Sequence, residues 1–224
     1  MAEPADTPVA PRLPARTRAE PLDALRHDLA LSELALEALS LGEADARGVQ
    51  IDQSRLADCD LSGSRLQSLR LVDCALERCD LANATAPRAR LHRVELAGCR
   101  LTGATFIDAE LADVTFRDCR VDLASFGGAT LSSVTFEDCL LAEASFLEAH
   151  LESVRFHRCE MPAADFRDAR AKRCEFRRCA LAGVQGLASL RGSAMEWGDV
   201  VGLAGELAAA LGIETIEEED GRGR

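Results

Sequence analysis

The chain has 224 residues, a formal net charge of −12 and 47% hydrophobic residues. That length supports one core or one elongated repeat array, and no apolar run approaches the roughly 18 residues that span a bilayer. Tyrosine is absent and Lys172 is the single lysine, which excludes catalytic tyrosine and leaves little lysine chemistry, while the acidic balance argues against general nucleic-acid binding.

Residues 1–21 hold five of the seven prolines and predict a disordered Pro/Ala-rich lead. They contain no basic stretch followed by an apolar one, so the expectation is a cytoplasmic protein without an export signal. Residues 22–42 are dense in leucine. Leu29, Leu34 and Leu39 exceed the size of the later small places, so this stretch predicts an N-terminal cap, either an imperfect first turn or a short helix.

Residues 43–185 are read as the body. From residue 28 to 182 the chain divides without insertion into frames of five, such as GVQID, QSRLA and DCDLS. One place per frame is large and apolar: Ile51, Leu56, Leu61, Leu66, Leu71, Leu76 and Leu81, then Leu91 through Leu181. Ala46, Ala86 and Ala171 are the small exceptions. Two residues earlier stands a small residue. All eight phenylalanines (Phe106 to Phe176) take the large place, and all nine cysteines (Cys59 to Cys179) take the small one. A twenty-residue order overlies the five: Cys59, Cys79 and Cys99 continue by twenties to Cys179, as Phe106 does to Phe166 and Phe116 to Phe176. Period five suits neither a helix nor a plain strand. Four fives per repeat predict a four-sided β-solenoid whose equivalent residues stack at strand spacing, nearly eight turns and on the order of 35 Å long.

Residues 186–224 leave the register and predict a cap with an acidic tail. Asp199 is the expected N-cap, and Val200, Leu203, Leu207 and Leu211 recur at helical spacing up to a stop at Gly212. Trp197 is expected to plug the last turn. Ile213 and Ile216 suggest a short extended piece.

These frames resemble the pentapeptide-repeat family, whose pattern is a small residue, Asp or Asn, then Leu or Phe and two polar residues. The resemblance covers about residues 28–185 and implies an all-β repeat, a right-handed quadrilateral β-helix with a C-terminal capping helix. The place before the large residue departs from the pattern: it is often Arg, Thr, Ser or Glu, and Asp60, Asp80 and Asp165 are among the few that conform. It points outward, so the departure alters surface chemistry more than fold. The ending resembles the C-terminal helix of gyrase-protecting members, which implies a homodimer, with Trp197, Val200, Leu203, Leu207 and Leu211 as its helix or cap residues.

Chemical candidates weigh against catalysis. No Cys-x-x-Cys pair occurs, and every cysteine stands at a place interchangeable with Ala or Val, the pattern of a small buried hydrophobe. Parallel inward side chains are poorly oriented for disulfides. His27, His92, His150 and His157 lack partners at ligand spacing, and no phosphate loop or nucleophile elbow is present. No cofactor and no metal are expected. The surface charge is uneven. Residues 101–154 carry ten acids against two bases, and residues 155–180 carry eight bases against four acids. Asp108, Glu148 and Asp168 align by twenties, interrupted by Gly128; Asp118 and Asp138 continue into Arg158 and Arg178. Arg155, Arg158, Arg170, Lys172, Arg173, Arg177 and Arg178 crowd two adjoining sides. The expected function is a non-catalytic protein-interaction scaffold with an unidentified protein partner, touching neither membrane nor nucleic acid directly. The resemblance implies an alternative, a DNA mimic that binds DNA gyrase and confers quinolone-like resistance.

Overall fold

The structure, a computed structural model, describes residues 6–19 and 22–214. Every fifth residue from Asp28 to Gly183 has φ between +48° and +70°. That left-handed region costs an ordinary L-residue about 1–2 kcal/mol and suits Gly, Asn and Asp. The sequence meets this with residues such as Gly63, Asn83, Gly98, Asp118 and Asp138, although Leu123 sits there too, at +59°. These residues turn the chain at each corner. The conforming aspartates also shape turns. Asp60, Asp80 and Asp165 each accept the N–H two residues on, at 2.8–2.9 Å, an Asx turn.

Four corners close one coil of twenty residues, and coils pair in parallel. The strands are β1 (Arg18–Ala19), β2 (Ala30–Ser32), β3 (Leu34–Glu37), β4 (Gln50–Asp52), β5 (Arg55–Ala57), β6 (Arg70–Glu77) and β7 (Arg90–Ala97). They continue as β8 (Glu110–Arg117), β9 (Thr130–Glu137), β10 (His150–His157), β11 (Arg170–Lys172), β12 (Glu175–Arg177) and β13 (Ala194–Met195). Leu71 stands opposite Leu91 and Phe116 opposite Phe136, twenty apart, as in every pairing from β2 to β12. The other two sides are held by single bridges, such as Asp80↔Arg100 and Thr85↔Thr105. The result is a parallel β-solenoid of about nine turns, one more than the frames predict. The extra layer arises because β13 pairs with β12 at an offset of nineteen, Phe176 opposite Met195. The slip follows Gly186, where φ is +75° and any Cβ would lie 2.3 Å from the Arg167 nitrogen.

Two phenylalanine columns run up the interior. Phe116, Phe136, Phe156 and Phe176 stack at 4.6–5.2 Å between centroids, and the Phe106-to-Phe166 column does so at 4.9–5.5 Å. The columns meet edge to face, as at Phe136 and Phe146, 6.0 Å apart. Below Phe106 its column alternates Ala86, Leu66 and Ala46 while the neighbouring column is leucine, and there a cavity of about 30 Å³ is lined by leucines such as Leu36, Leu56 and Leu76. One water would fit by volume, but the lining offers it no polar partner.

All nine cysteines are buried and free. Each thiol faces backbone carbonyls: Cys139 Sγ donates toward the oxygens of Phe116 (3.5 Å) and Glu137 (3.3 Å). A thiolate there would confront two oxygens with no cation, and burial pushes the Cys74 thiol up to about 11. The expected result is that an aromatic disulfide reagent labels fewer than one thiol per native chain and all nine after unfolding. Labelling of several thiols in the folded protein would contradict the buried columns.

Residues 22–42 carry strands and no helix. β2 and β3 form the first coil in full register with β4 and β5, Leu31 opposite Ile51 and Leu36 opposite Leu56. Leu34 is buried, and Leu29 and Leu39 are half-buried, an accommodation that the end of a stack allows because no coil below confines them.

The C-terminal cap differs from expectation in three ways. Helical turns begin at Trp197 with Glu196 as N-cap, and Asp199 lies inside them, its carboxylate facing the Cys179 N–H at 3.5 Å. The predicted single helix is two, α1 (Trp197–Gly202) and α2 (Ala204–Ala210), broken at Leu203. Leu203 turns into the core at 1% exposure, and Leu187 and Leu190 join it over the last coil. Trp197 plugs nothing: it is 79% exposed, because those three leucines already cover the cross-section. Gly212 ends the helix at φ +73° as expected. Ile213 is exposed, and Ile216 lies outside the described residues. Among the described residues no helix is long and apolar enough to cross a membrane.

Candidate interaction surface

Outward side chains recur at the same place on every coil, so residues twenty apart are neighbours across the sheet. Opposite charges exploit this. Asp58 pairs with Arg78 at 2.7 Å, Asp80 with Arg100 at 3.1 Å and Glu152 with Lys172 at 2.9 Å. Asp73 and Arg93 form the most buried of these pairs, two contacts of 2.6 Å. The guanidinium there holds the Asp73 carboxyl below the usual carboxylate range.

This pairing offsets part of the axial polarity legible in the charge counts. Asp138 is taken by Arg158 in two contacts of 2.7 Å, and the same guanidinium reaches Glu137 at 2.8 Å. Arg117 bridges Glu95 and Glu137, and Arg90 meets Glu110. The basic cluster is likewise engaged. Arg155 lies 3.8 Å from Glu175, Arg170 lies 3.3 Å from the His150 ring, Arg173 reaches Glu152 at 3.0 Å, and Arg177 pairs with Glu175. Among the described residues Arg178 makes no ion pair, nor do Asp108, Asp118, Glu148 and Asp168. Gly128 is more than an interruption in the acidic column. A Cβ there would lie 2.6 Å from Asp108 Oδ1, so the glycine makes the room that carboxylate occupies.

Of the lead expected to be disordered, residues 1–5 and 20–21 lie outside the described residues, and residues 6–19 are ordered. Residues 6–19 run as an extended strap along the face built by β6 to β10, against the direction of coil growth. The Asp6 carboxylate accepts from Ser153 Oγ (3.2 Å) and lies 3.5 Å from Arg173. Thr7 Oγ1 accepts from Arg155 at 2.9 Å. The Val9 N–H donates to Asp113 Oδ1 at 3.0 Å and the Arg12 N–H to Asp73 Oδ1 at 2.8 Å. At its end β1 pairs with β3, Arg18 opposite Leu34, and covers part of the first coil's open edge. Composition hides this because prolines are poor core formers. The spacing of Pro8, Pro11 and Pro14 was the available signal: three residues is the period of a polyproline II segment.

The predicted helix residues divide by exposure. Leu203 belongs to the core, Val200 and Leu207 are half-buried, and Leu211 is 74% exposed. Trp197, Val201, Leu211 and Ile213 form the exposed apolar part of this end. Leu207 packs on the core, so its substitution would disturb the cap as well as any contact beyond it. Among the described residues no group of three His, Cys, Asp or Glu side chains is placed to hold a metal ion.

A family profile described as a pentapeptide repeat region matches residues 69–146 and 125–185, and one for eight copies of the pentapeptide repeat matches residues 44–83. No curated protein sequence matches. Among solved structures the chain is similar to QnrB1, a plasmid-mediated fluoroquinolone resistance protein. The identity is 19%, covering 81% of this chain and 99% of that one, with a TM-score of 0.33. It is also similar to HetL, a pentapeptide repeat protein involved in heterocyst differentiation regulation in the cyanobacterium Nostoc. There the identity is 19%, the coverage 75% and 87%, and the TM-score 0.32. A protein of the Arabidopsis thaliana thylakoid lumen is 21% identical over 49% of this chain and 63% of its own, with a TM-score of 0.17.

Proposed function

This chain belongs to the pentapeptide-repeat family, and from that premise we propose that it acts without catalysis, as a rigid scaffold whose flat outer sides hold a partner protein. The observation that carries the reading is the fixed outward lattice. Corners locked at positive φ every five residues place side chains in columns that cannot rearrange without breaking the inter-coil ladder. The nine buried free thiols suit a reducing compartment, which supports a cytoplasmic location. A homodimer through the C-terminal end would cover Trp197, Val201, Leu211 and Ile213.

The second reading is a DNA mimic directed at gyrase. Asp108, Glu148 and Asp168 favour it, since they stand in one column by spacing and, among the described residues, make no ion pairs. Against it, duplex DNA offers a charge about every 1.7 Å, whereas one column offers at most one per coil, about every 4.8 Å. Asp138 and Arg158 are also mutually neutralised.

Charge reversal tests both. On the scaffold reading, the wild-type chain retains a cellular protein that the Asp108→Arg/Glu148→Arg variant loses, and gyrase supercoiling is unchanged by micromolar chain. Inhibition of supercoiling by the wild type and not by the variant would establish the mimic instead. Identical retention by both chains removes this column from the scaffold reading.

A further inference from the structure

The strap and the face beneath it share a period. Asp6, Val9 and Arg12 are three residues apart, and their partners Ser153, Asp113 and Asp73 are forty apart, two coils each. A polyproline II segment rises about 3.1 Å per residue, or about 9.3 Å in three. Two coils at strand spacing rise about 9.5 Å. The two repeats therefore stay in step along the rod. Pro8 and Pro11 set φ one residue before each donating N–H, and they force Thr7 and Ala10 into extended conformations. The face reads backbone and side chain together: two amides given to carboxylates, the Asp6 carboxylate held by Ser153 and Arg173, and the Thr7 hydroxyl held by Arg155. Between strap and face a trough of about 320 Å³ stays open, lined by side chains including Glu95, Thr115, Arg117 and Glu137, so the strap does not fill the space it covers.

We propose that this face is a recognition groove for an extended, proline-spaced segment of a partner protein, with an acid at its N-terminal side and free amides three and six residues later, and that residues 6–12 occupy it as a built-in competitor. The partner segment would copy the chemistry of Asp-Thr-Pro-Val-Ala-Pro-Arg and displace it. This deepens the scaffold reading and rests on it, by naming the side that binds and the class of peptide bound.

The test uses the full chain. Val9→Pro and Arg12→Pro together keep the strap extended but remove both donating N–H groups, leaving every coil untouched. The probe is a fluorescein-labelled peptide of residues 5–13. Each lost bond to a carboxylate is worth about tenfold or more in affinity. The peptide should therefore bind the V9P/R12P chain at least about tenfold more tightly than wild type, and Asp113→Asn in that chain should reverse most of the gain. A labelled peptide carrying the same two prolines should not bind. Failure of the wild-type peptide to bind the strap-released chain at millimolar concentration would overturn the groove, as would equal binding by the proline-substituted peptide. Exchange of straps between two copies, seen as dimers of the wild-type chain that V9P/R12P abolishes, would overturn the foreign partner. Loss or retention of a partner on the Asp108 column is read separately, so the scaffold reading can survive the failure of the groove.

Discussion

Phe136→Ala is expected to destabilise the protein by about 3–5 kcal/mol, the range for deleting a buried phenylalanine. Phe136 is 0% exposed and stacks on Phe116 below and Phe156 above, at 4.6 and 5.2 Å. It also meets Phe126 and Phe146 edge to face, each at 6.0 Å. Four rings lose a partner at once, and the coils cannot close the void because each is pinned by the ladder above and below. Phe106→Ala is the informative comparison. Phe106 ends its column and stacks only on Phe126, at 5.5 Å, so its loss should cost visibly less. Since each coil touches only its neighbours, Phe136→Ala should also broaden or split the urea transition. A cost below about 1 kcal/mol would mean the column is not packed as described.

Asp73→Ala is the second large effect, expected at about 3 kcal/mol near neutral pH. Asp73 is 5% exposed, carries both contacts to Arg93 and accepts the Arg12 N–H of the strap. Its removal leaves a mostly buried guanidinium without its counter-charge and frees one end of the strap. The pH dependence has a definite sign. The folded carboxyl is held below its ordinary value by Arg93, so its contribution is complete above the unfolded pKa, near 3.9, and is lost as pH falls through the lower folded value. The stability gap between wild type and Asp73→Ala should therefore be constant from pH 7 down to about 5 and shrink in stronger acid. A gap unchanged at pH 2 would show that lost packing, not charge, sets the cost.

Much of this molecule was legible as text because its interior is one-dimensional. Phe106 to Phe176 and Cys59 to Cys179 fall on two periods, and those periods dictate which side chains stack and how many sides a coil has. The positive-φ corner was also present, as the Gly, Asn and Asp that recur three places before the large residue, but its meaning needed the backbone. Charges were legible singly and misleading in sum. The counts over residues 101–180 predict an acidic band beside a basic one, whereas the pairing of Asp138 with Arg158 and of Glu152 with Lys172 offsets part of each across coils.

The ends were decided by tertiary structure, because periodicity stops there and nothing repeats to reveal a partner. Trp197 reads as a plug by size, yet Leu187, Leu190 and Leu203 reach the last coil first and leave it in solvent. Residues 6–19 read as disorder by composition, yet Asp73 and Asp113 stand two coils apart and meet amides three residues apart. The chain by itself determined the coil, since five-residue spacing admits one way to bury the large places. Only the folded stack determined what its outer faces hold, because a surface site is assembled from residues forty apart whose nearness exists nowhere but in the coil.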